Sequence, residues 1–99
     1  MVKLLMMWDI KPGRETAYLD FVNQQLTPGL LKLGLEPSEV WYTYWGNGPQ
    51  ILMGFVSDDI EEMKRILKDS SWLRLQNHLE EYVTNFHYKL IAAGGRFQL

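Results

Sequence analysis

The spacing of apolar residues changes period repeatedly along this chain, and each change marks an element. Val2–Trp8 is a short apolar run, VKLLMMW, that ends at Asp9. Its length favours a strand over a helix. Lys11-Pro12-Gly13 breaks it. From Arg14 the apolar positions take helical spacing: Tyr18, Phe21, Val22 and Leu26, with Ala17, share one side, and Glu15, Asp20, Asn23 and Gln24 take the other. Thr27-Pro28 interrupts that helix. A capping threonine followed by proline at the first helical position reads as a kink or restart. A short turn through Leu30–Leu33 follows, stopped by Gly34. Leu35-Glu36-Pro37-Ser38 reads as a connector.

The connector delivers the chain to Glu39–Ser57, EVWYTYWGNGPQILMGFVS, which predicts a β-hairpin. The runs Val40–Trp45 and Ile51–Val56 are aromatic and aliphatic, and the turn formers Gly46-Asn47-Gly48-Pro49 lie between them. Neither run alternates apolar with polar, so both faces of this sheet are expected to be covered. The chain's own helices supply one cover. A second copy of the chain is the simplest candidate for the other.

Beyond the hairpin, Asp58 and Glu61 have the spacing of a capping box, with Ser57 as an alternative cap. Ile60, Met63, Ile66 and Leu67 form a stripe opposed by Glu61, Glu62, Lys64 and Lys68. Asp69-Ser70-Ser71 pauses the helix and offers fresh caps, and Trp72, Leu75, Leu79 and Tyr82 continue it. Val83–Ala92 returns to period two. Thr84, Phe86, Tyr88, Leu90 and Ala92 lie on one face, and Val83, Asn85, His87, Lys89 and Ile91 on the other. Gly94-Gly95 is expected to end this strand and Arg96–Leu99 to form a short tail. The order is βαββαβ. A strand–helix–strand crossover predicts parallel neighbours with a right-handed connection, and the hairpin adds an antiparallel partner. Two such units give a split sheet with both helices on one face and the other face open. Pairing that open face with a twofold mate would bury on the order of several hundred Å² per chain, at ~25 cal/mol per Å² of apolar area.

Composition narrows the function classes. Ninety-nine residues make one domain, 1–99. The net charge is −2 with acids and bases interspersed, which argues against a nucleic-acid surface. There is no cysteine, so disulfide and thiolate chemistry are excluded and structural zinc loses its main ligand. Met1–Trp8 is too short and too weakly basic for a signal peptide, and no apolar run reaches membrane-spanning length. The expectation is a cytoplasmic protein with no nucleic-acid or membrane partner.

The residues with candidate chemistry are few. His78 lies beside the apolar stripe of its helix, either as a ligand or base at a pocket mouth or as a half-exposed helix histidine. Asn85, His87 and Lys89 form a polar strip that either lines a pocket, makes polar contacts across a dimer, or is the wet side of an edge strand. Tyr42 and Tyr44 share a face and carry hydroxyls able to bond a substrate, although aromatics in a strand also serve packing. Tyr42, Tyr44, Trp72, His78, Asn85 and His87 together form the candidate ligand-binding set. The acids Asp58, Asp59, Glu61 and Glu62 suit a helix N-terminus better than a metal. Neither a metal nor a cofactor is expected. Spacing alone reveals no phosphate loop, no HExxH and no serine–histidine–aspartate arrangement.

The βαββαβ order, the apolar sheet and the length resemble the dimeric α/β-barrel superfamily, ferredoxin-like domains that pair sheet to sheet. DIKPGRETAYLDFVNQQLTPGLLKLGLEPSEVWYTYWGNGPQ has the look of its uncharacterised bacterial members. The superfamily includes antibiotic-biosynthesis monooxygenases, heme-degrading monooxygenases and NIPSNAP-type proteins. The resemblance implies an α+β fold: an antiparallel four-stranded sheet with helices on one face. It also implies a homodimer through the sheet and a small apolar or aromatic ligand. The alternative activity it implies is a cofactor-independent monooxygenase acting on an aromatic substrate. Heme-degrading members carry a histidine on the second helical segment after a serine at its start, and Ser71 and His78 stand in a comparable relation. Lys3-Leu4-Leu5-Met6-Met7 lacks the asparagine those enzymes use on the first strand, which leaves heme the least supported ligand. The pattern names a fold and leaves open whether the protein is an enzyme.

Overall fold

The apolar strands and amphipathic helices assemble into a four-stranded sheet with every helix on one face. The computed structural model describes residues 1–92. In chain order the elements are β1 (Val2–Ile10), α1 (Glu15–Phe21), a π-helical turn (Val22–Leu26), α2 (Thr27–Lys32), β2 (Glu36–Tyr42), β3 (Ile51–Ser57), α3 (Ile60–Leu67), α4 (Ser70–Leu79) and β4 (Val83–Ala92). The strand order is β2-β3-β1-β4, and all neighbours are antiparallel. The crossovers therefore join strands that run parallel but are not adjacent, contrary to the parallel neighbours expected from the sequence. Each crossover leaves a gap one strand wide, and the remaining strand fills it antiparallel.

Burial divides β1 cleanly. Leu4, Met6 and Trp8 are fully buried beneath the helices, while Lys3, Leu5 and Met7 point the other way and are only half-buried. The core adds Ile51, Met53 and Phe55 from β3 and Tyr18, Phe21, Leu26, Leu30, Met63, Ile66, Trp72 and Leu79 from the helices. On the open face Leu5, Met7, Leu52 and Val56 form an apolar strip. There Lys3 Nζ reaches Glu39 Oε1 at 2.6 Å, across β3. Gly54 makes room for that crossing, since a Cβ at this position would sit 2.9 Å from the same carboxylate oxygen.

Several boundaries differ from the sequence reading, each for a local reason. Thr27 keeps helical angles and makes no side-chain cap, so α2 begins there as a continuation of the π-helical turn rather than as a capped restart. The wider π turn just before it accommodates Pro28, which has no N–H to give. Gly34, at φ +99, ends α2 as expected, with Leu35 N–H donating to Leu30 O and Gly34 N–H to Leu31 O. The expected connector is the start of β2; an edge strand tolerates Pro37. β2 stops at Tyr42, so Tyr44 and Trp45 lie in the following loop. The cap of α3 is Asp59, which accepts from Glu62 N–H at 2.7 Å, rather than Asp58 or Ser57. Asp69 caps α4 by accepting from Ser71 N–H at 2.7 Å. In β4, Asn85 takes φ 56 where the pairing with β1 shifts register. That bulge turns Val83 into the core while Thr84 is exposed, reversing their expected faces. The expected strand end at Gly94-Gly95 and the tail Arg96–Leu99 lie outside the described residues.

Candidate ligand-binding site

Beyond the core, β2 runs out past the helices that cover the middle of the sheet. Its residues on that side, Val40 and Tyr42, are 63% and 60% exposed, whereas Ile51, Met53 and Phe55 beside them are buried. The step leaves a cleft of about 510 Å³ between α1 with its π turn and the β2–β3 edge. Leu19, Val22, Val40, Ile51, Met53 and Phe55 supply its apolar walls. Two tyrosines belong to its lining, Tyr18 and Tyr42.

Each hydroxyl is held by a donor from the protein. Trp8 Nε1–H donates to Tyr18 Oη at 3.0 Å, and the two rings meet edge to face at 6.2 Å. Burial pushes the Tyr18 hydroxyl up to about 12; the Trp8 bond pulls the other way and is outweighed. Gln50 Nε2–H donates to Tyr42 Oη at 2.9 Å. Gln50 in turn accepts from Ile10 N–H at 2.8 Å through Oε1.

Gln50 links this cleft to a polar cluster at the end of the sheet. Its N–H donates to Asp9 Oδ1 at 2.8 Å, and Asn85 Nδ2–H donates to Asp9 Oδ2 at 2.9 Å. The Asn85 bond holds the Asp9 carboxyl below the usual carboxylate range, helped by the Gln50 N–H and, more weakly, by the charge of His87. His87 Nδ1 lies 3.0 Å from the Asn85 carbonyl. A carbonyl only accepts, so Nδ1 carries the proton, and in the neutral ring Nε2 is an acceptor with no partner among the described residues.

No family model matches the sequence, and no curated protein aligns with it significantly. Solved structures do match along nearly the whole chain. An uncharacterized NIPSNAP domain protein from Burkholderia xenovorans superposes with a TM-score of 0.71 at 12% identity, over 99% of both chains. The fold is that of the NIPSNAP-type proteins. An ethyl tert-butyl ether D (EthD) family protein from Bacillus halodurans gives 0.75 at 14% identity, covering 95% of this chain and 99% of that one. HapK from Hahella chejuensis gives 0.76 at 10% identity, covering 100% and 98%. At such identities the backbone path is shared and the site must be read from this chain's own side chains.

On this NIPSNAP-type frame the six sequence candidates separate into four places. Tyr42, Asn85 and His87 join one hydrogen-bonded network through Asp9 and Gln50. Tyr44 stands 96% exposed in the β2–β3 loop. Trp72 is buried in the core, edge-on to Tyr88 at 5.7 Å, and its Nε1 has no partner among the described residues. His78 lines an open groove between α2 and α4 with Ser71, Lys32 and Arg74, and this groove shares no lining residue with the cleft. Its ring packs on Phe21 at 4.4 Å, and its Nε2 lies 3.4 Å from the Tyr82 hydroxyl and 3.5 Å from Glu81. Ser71 and His78 therefore share a groove that lies outside the cleft. Among the described residues no three metal-ligating side chains converge, and no helix is long and apolar enough to cross a membrane.

Sequence reasoning missed Asp9, Gln50 and Tyr18. Asp9 reads as the end of an apolar run and Gln50 as the residue after a turn proline. Their partners lie 41 and 76 positions away. Tyr18 reads as one more member of a helix stripe. Its helical spacing carries no signal of a place in a cleft lining.

Proposed function

We propose that this chain acts as a homodimer that binds a small apolar or aromatic molecule in the cleft between α1 and the β2–β3 edge. The observation that carries the reading is the cleft itself: about 510 Å³, largely apolar on its walls, and lined by two tyrosines whose hydroxyls are held by defined donors. That volume falls in the range that takes small organic ligands, and an apolar lining with few fixed polar groups is how such sites are built. The dimer rests on the other face of the sheet, where the strip of Leu5, Met7, Leu52 and Val56 is only half-covered by the chain. Trp8, bonded to Tyr18, supplies a built-in fluorescent reporter. A panel of one- and two-ring aromatics should give a saturable change in tryptophan emission. A panel that gives none would overturn the reading.

A second reading, a cofactor-independent oxygenase, draws on the Asp9–Asn85–His87 cluster. There the substrate itself reduces oxygen, and the free Nε2 of His87 accepts the proton that the substrate releases. Oxygen uptake with electron-rich phenols, lost in His87→Ala, is the expected result. Absence of any oxygen-dependent product across the phenol panel removes this reading and leaves the binding role.

A further inference from the structure

We infer that the cleft selects ligands bearing a hydrogen-bond acceptor, such as an aryl ketone or aryl ester, over aromatic hydrocarbons of the same size. This rests on the cleft being the ligand site. A phenol has one proton and two lone pairs. Both phenols in the cleft meet the protein through a group that can only donate in that contact. The Trp8 indole has a proton and no acceptor, so Tyr18 Oη accepts from it.

The second case depends on which way the Gln50 amide faces, and the backbone settles this. Ile10 N–H reaches one end of that amide at 2.8 Å, and a backbone N–H is met only by oxygen. The other end, 2.9 Å from Tyr42 Oη, is therefore the NH₂ group, and Tyr42 accepts. Each hydroxyl thus has its own proton left over, and among the described residues neither has an acceptor for it. Tyr18 also keeps that proton, since its hydroxyl titrates only near about 12. Glu15, the carboxylate of the lining, already accepts from Gly13 N–H through both oxygens at 2.9 Å. With Tyr18 and Tyr42 both in its lining, the cleft has two spare hydroxyl donors to offer beside its apolar walls and the polar side chains of Asn23 and Thr27, and a carbonyl oxygen is the complementary group.

The test compares methyl naphthyl ketone with ethylnaphthalene, by tryptophan quenching and by the infrared carbonyl stretch of the bound ketone. In an apolar cleft without donors the hydrocarbon should win, because the ketone would leave its water bonds unreplaced. With the donors in place the ketone should bind roughly three- to tenfold more tightly, the range of one net hydrogen bond. Its carbonyl stretch should move to lower frequency than in an alkane. Tyr42→Phe and Tyr18→Phe should each narrow the preference for the ketone over ethylnaphthalene. Tyr18→Phe also strips Trp8 Nε1 of its partner; should that variant not fold, Tyr42→Phe and the infrared shift still decide. A hydrocarbon that binds as tightly as the ketone, with no carbonyl shift, overturns the selectivity and leaves the cleft as a binding site. Failure of both probes to bind overturns the cleft reading and the selectivity with it.

Discussion

The two faces of β1 both carry large apolar side chains and have different fates. Leu4, Met6 and Trp8 are closed off completely by the chain's own helices. Leu5 and Met7, one residue out of phase, remain half-covered beside Leu52 and Val56. The helix face is a finished core with one cleft at its margin. The open face is an apolar strip edged by charged groups, Lys3 bonded to Glu39, Asp9 bonded to Gln50 N–H and Asn85, and Lys89 opposite Leu5. Apolar residues on both sides of a strand that has a cover on one side mark the surface we assign to a second copy.

The sharpest way to break that comparison is a carboxylate placed on each face in turn. Met6→Glu should abolish folding, because an unpaired charge in that core costs far more than a small domain's margin of about 5–15 kcal/mol leaves to spare. Leu5→Glu should leave the fold standing and give a monomer. Circular dichroism melts and sedimentation equilibrium read the two effects separately; equal unfolding by both would erase the distinction.

Truncation grades the same contrast. Phe55→Ala on the helix face should cost about 3–5 kcal/mol in urea unfolding. Gly54→Ala, the adjacent residue on the other face, should cost less. Its Cβ would press on Ser38 Oγ at 2.8 Å and Glu39 Oε1 at 2.9 Å, ends of side chains that can move. The expected loss is the Lys3–Glu39 pair, worth about 0–1 kcal/mol at this partial exposure.

Acid titration probes the cluster that edges both faces. Asp9 is held below the usual carboxylate range by Asn85 first. Its stabilisation is therefore present above the ordinary aspartate value of about 3.9 and is lost as the pH falls through the lower folded value. Asn85→Ala should flatten the fall in urea midpoint over the acid range and should also lower stability at neutral pH. An unchanged acid profile would remove Asp9 as the anchor. Glu39→Gln should be the smallest effect, within about 1 kcal/mol and fading with added salt.

Much of the fold was legible because period alone separates these elements. The strand at Val2–Trp8, the stripe through Tyr18 and Phe21, the break at Asp69 and the alternation in β4 are visible in the order of residues. What escaped depends on groups far apart in sequence or on backbone detail. The π turn before Pro28 leaves the apolar spacing almost untouched. Nothing near Pro37 announces that its strand lies at an edge, where a missing N–H is harmless. Asn85 flips the faces of Val83 and Thr84 through one left-handed residue. In the site, Tyr42, Asn85 and His87 stand out in the sequence as polar groups on an apolar sheet. Asp9 and Gln50, which join them, make contacts that no local pattern encodes. The cleft exists because β2 extends past its helices, a distance set by packing rather than by any motif.

The methionines make one measurement decisive. Met53 lines the cleft, Met7 sits on the open face, and Met6 and Met63 are sealed in the core. Methionine-methyl NMR can therefore follow both occupants in one labelled sample. Adding methyl naphthyl ketone should shift the Met53 methyl and leave Met7 in place. Diluting the protein through its dimer dissociation should shift Met7 and leave Met53 in place. A probe that moves Met7 in preference to Met53, or a dilution series that moves neither, would contradict the assignment of a ligand to one face and a second copy to the other.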